Sequence, residues 1–327
     1  MSDFPNQVQA IQSPAVAGDF CDANPRSTVD AGPNALQSGL GVINGVQVNG
    51  AVVGRFGWLD YERVDGDGAP AVVNTFGSGM PAGLVHRTQQ GLITPYLGVA
   101  TEYLLSGFQI ELFSIVGMWV ENANASAQAL PGMKAFARYK DGAALFAAAG
   151  TTPSGGSSTA SIAAGTSSVD GTLIGNVLTV SLVNSGVVRP GTTISGSGVA
   201  SGTKIVEQLL PLEAGEALGG IGRYAVNIPN QSVTSTITIS GTYGIMTAGT
   251  VTGAYNVGEV ITGTNVVAGT TITQQITGSA GAAGTYAVDN NTVVGSTTIT
   301  SQDSIETEWY CKSAGLAGEL VKIARIR

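Results

Sequence analysis

The chain has 327 residues, and only 11% of them are charged, against roughly 25% in an ordinary soluble domain. Apolar residues make up 43%, which argues against intrinsic disorder, since disordered chains are rich in charge and poor in apolar side chains. The balance of 14 Lys and Arg against 22 Asp and Glu gives a net charge of −8 and disfavours a nucleic-acid binder, which presents a basic surface.

Other classes fall away as quickly. The 47 glycines follow no Gly-X-Y period, so the chain is not collagen-like. No apolar run reaches the ~20 residues of a membrane-spanning helix. The opening MSDFPNQVQAIQ has neither the basic nor the apolar region of a signal peptide, so synthesis in the cytosol is expected. The single histidine, His86, leaves no histidine pair for a metal site or a proton relay. No metal, cofactor or catalytic residue is expected.

The N-terminal segment, about residues 1–35, contains Pro5, Pro14, Pro25 and Pro33. Prolines so placed forbid a long helix, and an extended arm is expected. Residues 53–58 alternate loosely as a strand. Asp65-Gly-Asp-Gly68 resembles the opening of a calcium loop but lacks the further oxygen ligands and the distal Glu, so it reads as a solvated turn. His86-Arg87 reads as a polar pair at a strand end or interface. Residues 108–112 alternate apolar and polar cleanly, the period of a half-buried strand. Glu102, Glu111 and Glu121 fall at solvent-facing positions. Residues 124–130 allow one or two helical turns at most before Pro131. Residues 133–139 and 143–148 flank Asp141-Gly142, a strong hairpin signal.

Composition shifts near residue 150 and shifts back near residue 302. Between Thr151 and Ser301 there is no Phe, Trp or Cys, whereas all eight Phe and all three Trp (Trp58, Trp119, Trp309) lie outside. Large aromatics dominate core burial, so residues 1–150 and 302–327 are expected to share one core. Two strands, at 305–311 and 319–326, surround a Gly-containing turn; they are too few to fold alone and should complete the sheet begun before residue 150. Residues 151–166, opening on Thr151-Thr-Pro-Ser-Gly-Gly, read as a linker.

The middle of the chain repeats itself. Gly191, Ile194, Gly196, Val199 and Gly202-Thr203 recur 67 positions later as Gly258, Ile261, Gly263, Val266 and Gly269-Thr270. Gly222-Arg-Tyr224-Ala-Val226 recurs 62 positions later as Gly284-Thr-Tyr286-Ala-Val288, and the five-residue difference falls in the loop at 209–220. Thr and Val or Ile alternate around 235–239 and 296–299, as in half-buried strands. Two small β-sandwich-like repeats are expected, at 167–241 and 244–301. The fold class is therefore mainly β: a β-barrel or jelly-roll-like outer domain with two inserted repeats.

Little in the chain looks reactive. Cys21 and Cys311 lie near opposite ends and read as idle thiols kept reduced in the cytosol. Ser195 and Ser197 are the nearest candidates for a nucleophile, yet they lack the strand-turn-helix setting of a nucleophile elbow.

Several ordered motifs carry a resemblance. They are Ala15-Val-Ala-Gly-Asp-Phe20 followed by Ala23-Asn-Pro-Arg26, then Val53-Gly-Arg-Phe-Gly-Trp58, Val73-Asn-Thr-Phe-Gly77 and Gly83-Leu-Val-His-Arg87. Gly132-Met-Lys-Ala-Phe-Ala137, Asp141-Gly142 and Gly318-Glu-Leu-Val-Lys-Ile323 continue the series. Over residues 1–150 and 302–327 the chain resembles the structural cement, or capsid decoration, proteins of tailed bacteriophages. Cys21-Asp22 departs from the pattern by interrupting the small-residue run before Ala23.

The resemblance implies a protein that binds the outer capsid surface of the virion after assembly in the host cytoplasm. It would stabilise the head by non-covalent contacts with the major capsid protein, as a homo-oligomer (dimer or trimer), with no nucleic acid or membrane partner. The candidate contacts are Phe20, Asn24, Pro25 and Arg26 of the arm, with His86 and Arg87; arginine with aromatics is the usual makeup of interface hot spots. A competing expectation is a virion fibre or adhesin component whose β repeats hold glycans or surfaces. A secreted β-rich hydrolase is disfavoured by the lone histidine and the opening sequence.

Overall fold

A computed structural model describes residues 15–29, 35–64, 70–88, 101–151, 153–209 and 214–325. Most of the expected arm and the Asp65-Gly-Asp-Gly68 turn lie outside these residues. Among the described residues the secondary structure is all β, without a helix. Twelve strands precede residue 150: β1 (Ser27–Thr28), β2 (Gln37–Ser38), β3 (Gly41–Ile43), β4 (Val46–Val48), β5 (Gly50–Val52), β6 (Phe56–Val64), β7 (Pro70–Asn74), β8 (Gly83–Val85), β9 (Tyr103–Leu105), β10 (Leu112–Glu121), β11 (Lys134–Arg138) and β12 (Ala144–Ala147). β13 (Ser154–Gly175), β14 (Val177–Ser185), β15 (Thr193–Ser195), β16 (Ile205–Gln208) and β17 (Gly222–Val226) follow. Then come β18 (Gln231–Ala248), β19 (Val260–Gly263), β20 (Ile272–Gln275), β21 (Gly284–Val288) and β22 (Val294–Gln302), and finally β23 (Ser304–Cys311) and β24 (Leu320–Arg325).

The first large sheet runs β12-β11-β23-β24-β10-β8-β6-β7-β2, with β1 added on β10. It curls into a barrel-like half-shell. β23 pairs with β11 and β24 with β10, so the last strands of the chain sit in the middle of a sheet begun by the first. Burial drives that closure: Trp309, Val321 and Ile323 are at most 1% exposed and pack with Phe56, Met118 and Phe146. Phe56 meets Trp309 edge-on at 5.4 Å. The Asp141-Gly142 hairpin joins β11 to β12 in antiparallel register, and Arg138 holds Asp141 through two hydrogen bonds of 2.8 and 2.6 Å.

The second large sheet runs β16-β17-β14-β13-β18-β21-β20, with β15 on β18 and β19 joined through β22 to β13. Its two cores repeat each other. Val188, Ile194, Ile205 and Tyr224 centre one; Tyr255, Ile261, Ile272 and Tyr286 centre the other. The correspondence reaches single hydrogen bonds. The Thr203 hydroxyl donates to the Ala200 carbonyl, and the Thr270 hydroxyl to that of Val267, both at 2.7 Å. The Tyr224 hydroxyl donates to Gly220, and that of Tyr286 to Ala282.

Three local expectations differ from the structure. The stretch at 151–166 is not a linker: from Ser154 onward it is the first half of β13, paired with β18 and β22. Ala160 and Ile162 of that half pack in the core of the second copy, while Val169 and Leu173 of the other half pack in the first. β18 crosses in the opposite sense, so the two copies share both long strands. Residues 108–112 form no strand before Leu112; Phe108 is 44% exposed, and the Ile110 N–H donates to the Leu36 carbonyl. Residues 124–130 form no helix, because the Asn122 and Asn124 amides take backbone groups of Ala127, Gly315 and Phe146.

Candidate functional site

The arm segment at 15–29 lies along one edge of β10 while β24 occupies the other. Gly18 N–H donates to Trp119, Trp119 N–H to Asp19, and Cys21 N–H to Gly117, at 2.8–3.0 Å. Two glycines permit this approach. Gly18 has φ +86°, and a Cβ there would lie 3.1 Å from that of Arg87; a Cβ on Gly117 would lie 2.2 Å from the Asp22 carboxylate. The chain then turns about Asp22. Its carboxylate accepts from the Asn24 N–H at 3.2 Å, the Asn24 side-chain amide at 3.0 Å and Lys312 at 3.0 Å. Arg26 closes the turn by donating to the Asp22 carbonyl at 2.7 Å.

That turn sets up a three-layer stack. The Arg26 guanidinium carbon sits 3.6 Å from the Phe20 ring centroid, and the His86 ring stacks on Phe20 at 4.2 Å with a 14° interplanar angle. Both distances are so short that the two groups must cover opposite faces of the phenyl ring. Phe113 abuts Phe20 edge-on at 5.2 Å, and Glu111 fixes the His86 ring through a 2.9 Å contact to Nδ1. Asn24, Pro25 and Arg26 are exposed. The two candidate segments, 60 residues apart in sequence, thus form one surface. Arg87 departs from it: its side chain turns toward Asp19 at 3.9 Å and lines a neighbouring cleft.

Electrostatics favour the turn. Burial alone would raise the Asp22 carboxyl, but the hydrogen bonds from Lys312 and Asn24 outweigh it and hold the group below its ordinary value. Asp22 in turn holds the Lys312 ammonium above its own. Burial pushes the Cys21 thiol up to about 11, with Asp22 adding to the effect, and burial also raises Cys311. Both cysteines are free. The Cys21 thiol points at the Ile323 carbonyl of β24 at 3.9 Å, and the Cys311 thiol donates to the Ser313 carbonyl at 2.9 Å.

Asp22, Glu111, Phe113 and Lys312 complete the site and escaped the sequence reading. The Asp before Ala-Asn-Pro was a usable signal, since Asx side chains cap turns of this kind; the others reach the site only through long-range pairing. Among the described residues no three His, Cys, Asp or Glu side chains group as a metal site would require. Ser195 is exposed, and its hydroxyl points to the Ser240 carbonyl at 3.5 Å.

Beside the arm runs a groove. One cleft of about 280 Å3 is lined by Val16, Ala17, Val53, Arg55, Arg87 and Glu102. A second of about 340 Å3 shares Arg55 and Glu121 with it and continues past Asn44, Asn124, Arg138 and Lys140.

No curated protein matches the chain. A family does: residues 4–177 match the XM1 gp53 minor capsid protein. The matched span is just over half of the chain and takes in the arm, the Phe20–His86 stack, every strand from β1 to β12 and all of β13. The chain therefore belongs to the XM1 gp53 minor capsid protein family, a family of structural proteins of the bacteriophage capsid.

Proposed function

We propose that this capsid protein is a cement protein: it binds the outside of the head and stabilises it through non-covalent contacts with the major capsid protein, as a homo-oligomer. One observation carries the reading. Asn24, Pro25 and Arg26 are exposed, yet held rigid by Asp22 and by the stack on Phe20 and His86. An interface that is ordered before binding loses less entropy on association, and an exposed arginine on an aromatic ring is hot-spot chemistry. The low charge of the chain adds little desolvation cost to such a contact. In this reading residues 1–150 and 302–327 are one capsid-binding domain, and the repeats are an insertion that stands away from the head.

The test uses heads stripped of the protein. Arg26→Ala and His86→Ala should each keep the wild-type melting temperature within a few degrees and lower head occupancy about tenfold or more. Wild-type occupancy by a folded double variant would remove the stack from the contact. Copies per virion separate cement from fibre: a number near that of the capsid subunits supports the proposal, and a few to tens refutes it.

A second reading, attachment through the repeats, is favoured by one comparison between the copies. Val187, Leu218 and Ile221 of the first copy are 37%, 76% and 40% exposed. They correspond to Ala254, Ala280 and Ala283 of the second. Large aliphatics therefore face solvent at one tip where the twin carries alanine, as at a surface meant to be covered.

A further inference from the structure

Among the described arginines of the groove, Arg55 is the one that keeps a buried donor without an acceptor. It stands on the short link between β5 and β6, where Gly54 N–H donates to Val85 and Val85 N–H to Arg55, at 2.9 and 3.0 Å. Its backbone is thus fixed, and its side chain is only 18% exposed. Nη1 is buried without an acceptor. Nη2 has only Glu121, at 3.5 Å, the outer limit of a hydrogen bond. Arg138 in the same groove shows the alternative, a two-bond fork closed by Asp141. A buried guanidinium donor left unpaired costs free energy that one well-placed carboxylate would recover.

We infer that the Arg55 groove is a second contact on the capsid, taking an acidic side chain from an extended segment of the capsid protein. The inference rests on the cement reading. Shape supports it, because the two clefts meet at Arg55 and Glu121 and together make a trough wider than one side chain needs. Charge supports it too: in a chain of net charge −8, Arg55, Arg87, Arg138 and Lys140 line this trough against Glu102, Glu121 and Asp141, and Asp141 is already taken by Arg138. Continuity with the arm is direct, since Arg87 lines the first cleft while its N–H donates to Gly18. Glu121 is 45% exposed, and among the described residues its side chain is held only by the long contact to Arg55. The entering carboxylate displaces it and takes the fork.

Three variants test this on stripped heads, beside the wild type. Arg55→Gln removes the charge and should melt at or above the wild-type temperature, because a largely buried guanidinium with an unmet donor and only a long contact to Glu121 is lost, while occupancy falls about tenfold or more. Arg55→Lys keeps the charge but not the planar fork and should fall between. Glu121→Gln removes the competing carboxylate and should keep or raise occupancy. The inference is overturned if Arg55→Gln binds like wild type, if its loss of binding comes with a lowered melting temperature, or if Glu121→Gln weakens binding as Arg55→Gln does. Failure of the wild type to bind heads would instead overturn the cement reading, and this inference with it.

Discussion

Deleting residues 302–327 should unfold the barrel and leave the repeats standing. The deletion takes β23 and β24 from between β11 and β10, so the first large sheet is cut through its middle rather than trimmed at an edge. It also removes Trp309, Val321 and Ile323, each at most 1% exposed. A buried Trp is worth about 4 kcal/mol and each aliphatic about 2 kcal/mol, or about 8 kcal/mol together. That is comparable with the whole stability of a domain, roughly 5–15 kcal/mol. The repeats have cores of their own that include none of these residues. Tryptophan separates the outcomes, because Trp58, Trp119 and Trp309 all lie outside the repeats. In the truncated chain, Trp58 and Trp119 emission should shift to the red and lose its thermal transition, while the β signal of the repeats still melts cooperatively. A Trp309→Ala variant should show a milder form, losing about 3–5 kcal/mol. Native-like emission and an unchanged near-UV spectrum after the deletion would refute the account of how the sheet closes.

Two other outcomes follow from the same geometry. Asp22 has a lowered pKa in the folded chain, so its contribution is complete above about pH 4 and is lost as the pH falls through the lowered value. Asp22→Asn should therefore be less stable than wild type at pH 7, by up to about 1 kcal/mol, and the gap should close in acid denaturation titrations. Replacing residues 152–301 with a short Gly/Ser linker should preserve both the barrel's tryptophan transition and head occupancy, because Ser154 pairs directly with Gln302 and the two cut ends are neighbours; loss of occupancy by a folded variant would move the capsid contact into the repeats.

What could be read in advance was what local chemistry decides. Asp141-Gly142 is a turn in any context that allows Gly142 its φ of +67°. The repeats were visible because the same glycines and threonines return at fixed spacing. The stretch at 151–166 misled for a physical reason. Its glycines are not there for flexibility: a Cβ at Gly156 would lie 2.8 Å from the Tyr255 ring, and one at Gly165 2.5 Å from that of Tyr243. They are sockets for aromatic rings inside a strand, a use of glycine that composition does not distinguish from a linker. Phe108 misled in the opposite way: period-2 alternation is present and Ile110 and Leu112 are buried, but Phe108 itself faces solvent and the single Gln37–Gln109 bridge does not extend into a ladder. The candidate site was half legible. Phe20, Arg26 and His86 were named from motifs, but nothing in their spacing says that one ring lies between the other two. β10 brings them together by pairing with the arm on one side, with Phe113 near its start and Glu111 just before it.

The sharing of β13 and β18 between the copies has a mechanical consequence. β13 is 22 residues long, roughly 70 Å of extended chain at ~3.3 Å per residue. It runs antiparallel to β18 from the Ala160–Ala248 pair to the Gly175–Gln231 pair, with one break in register. Beads on a flexible string would bend at the joint between modules; here the joint is the middle of two hydrogen-bonded strands. Arg189 to Gln274 at 2.8 Å and Lys204 to Asp289 at 3.0 Å brace it further. The pair behaves as a spar. A pull along its axis loads many ladder bonds at once in shear rather than opening them one after another, so the far tip keeps its bearing relative to the root.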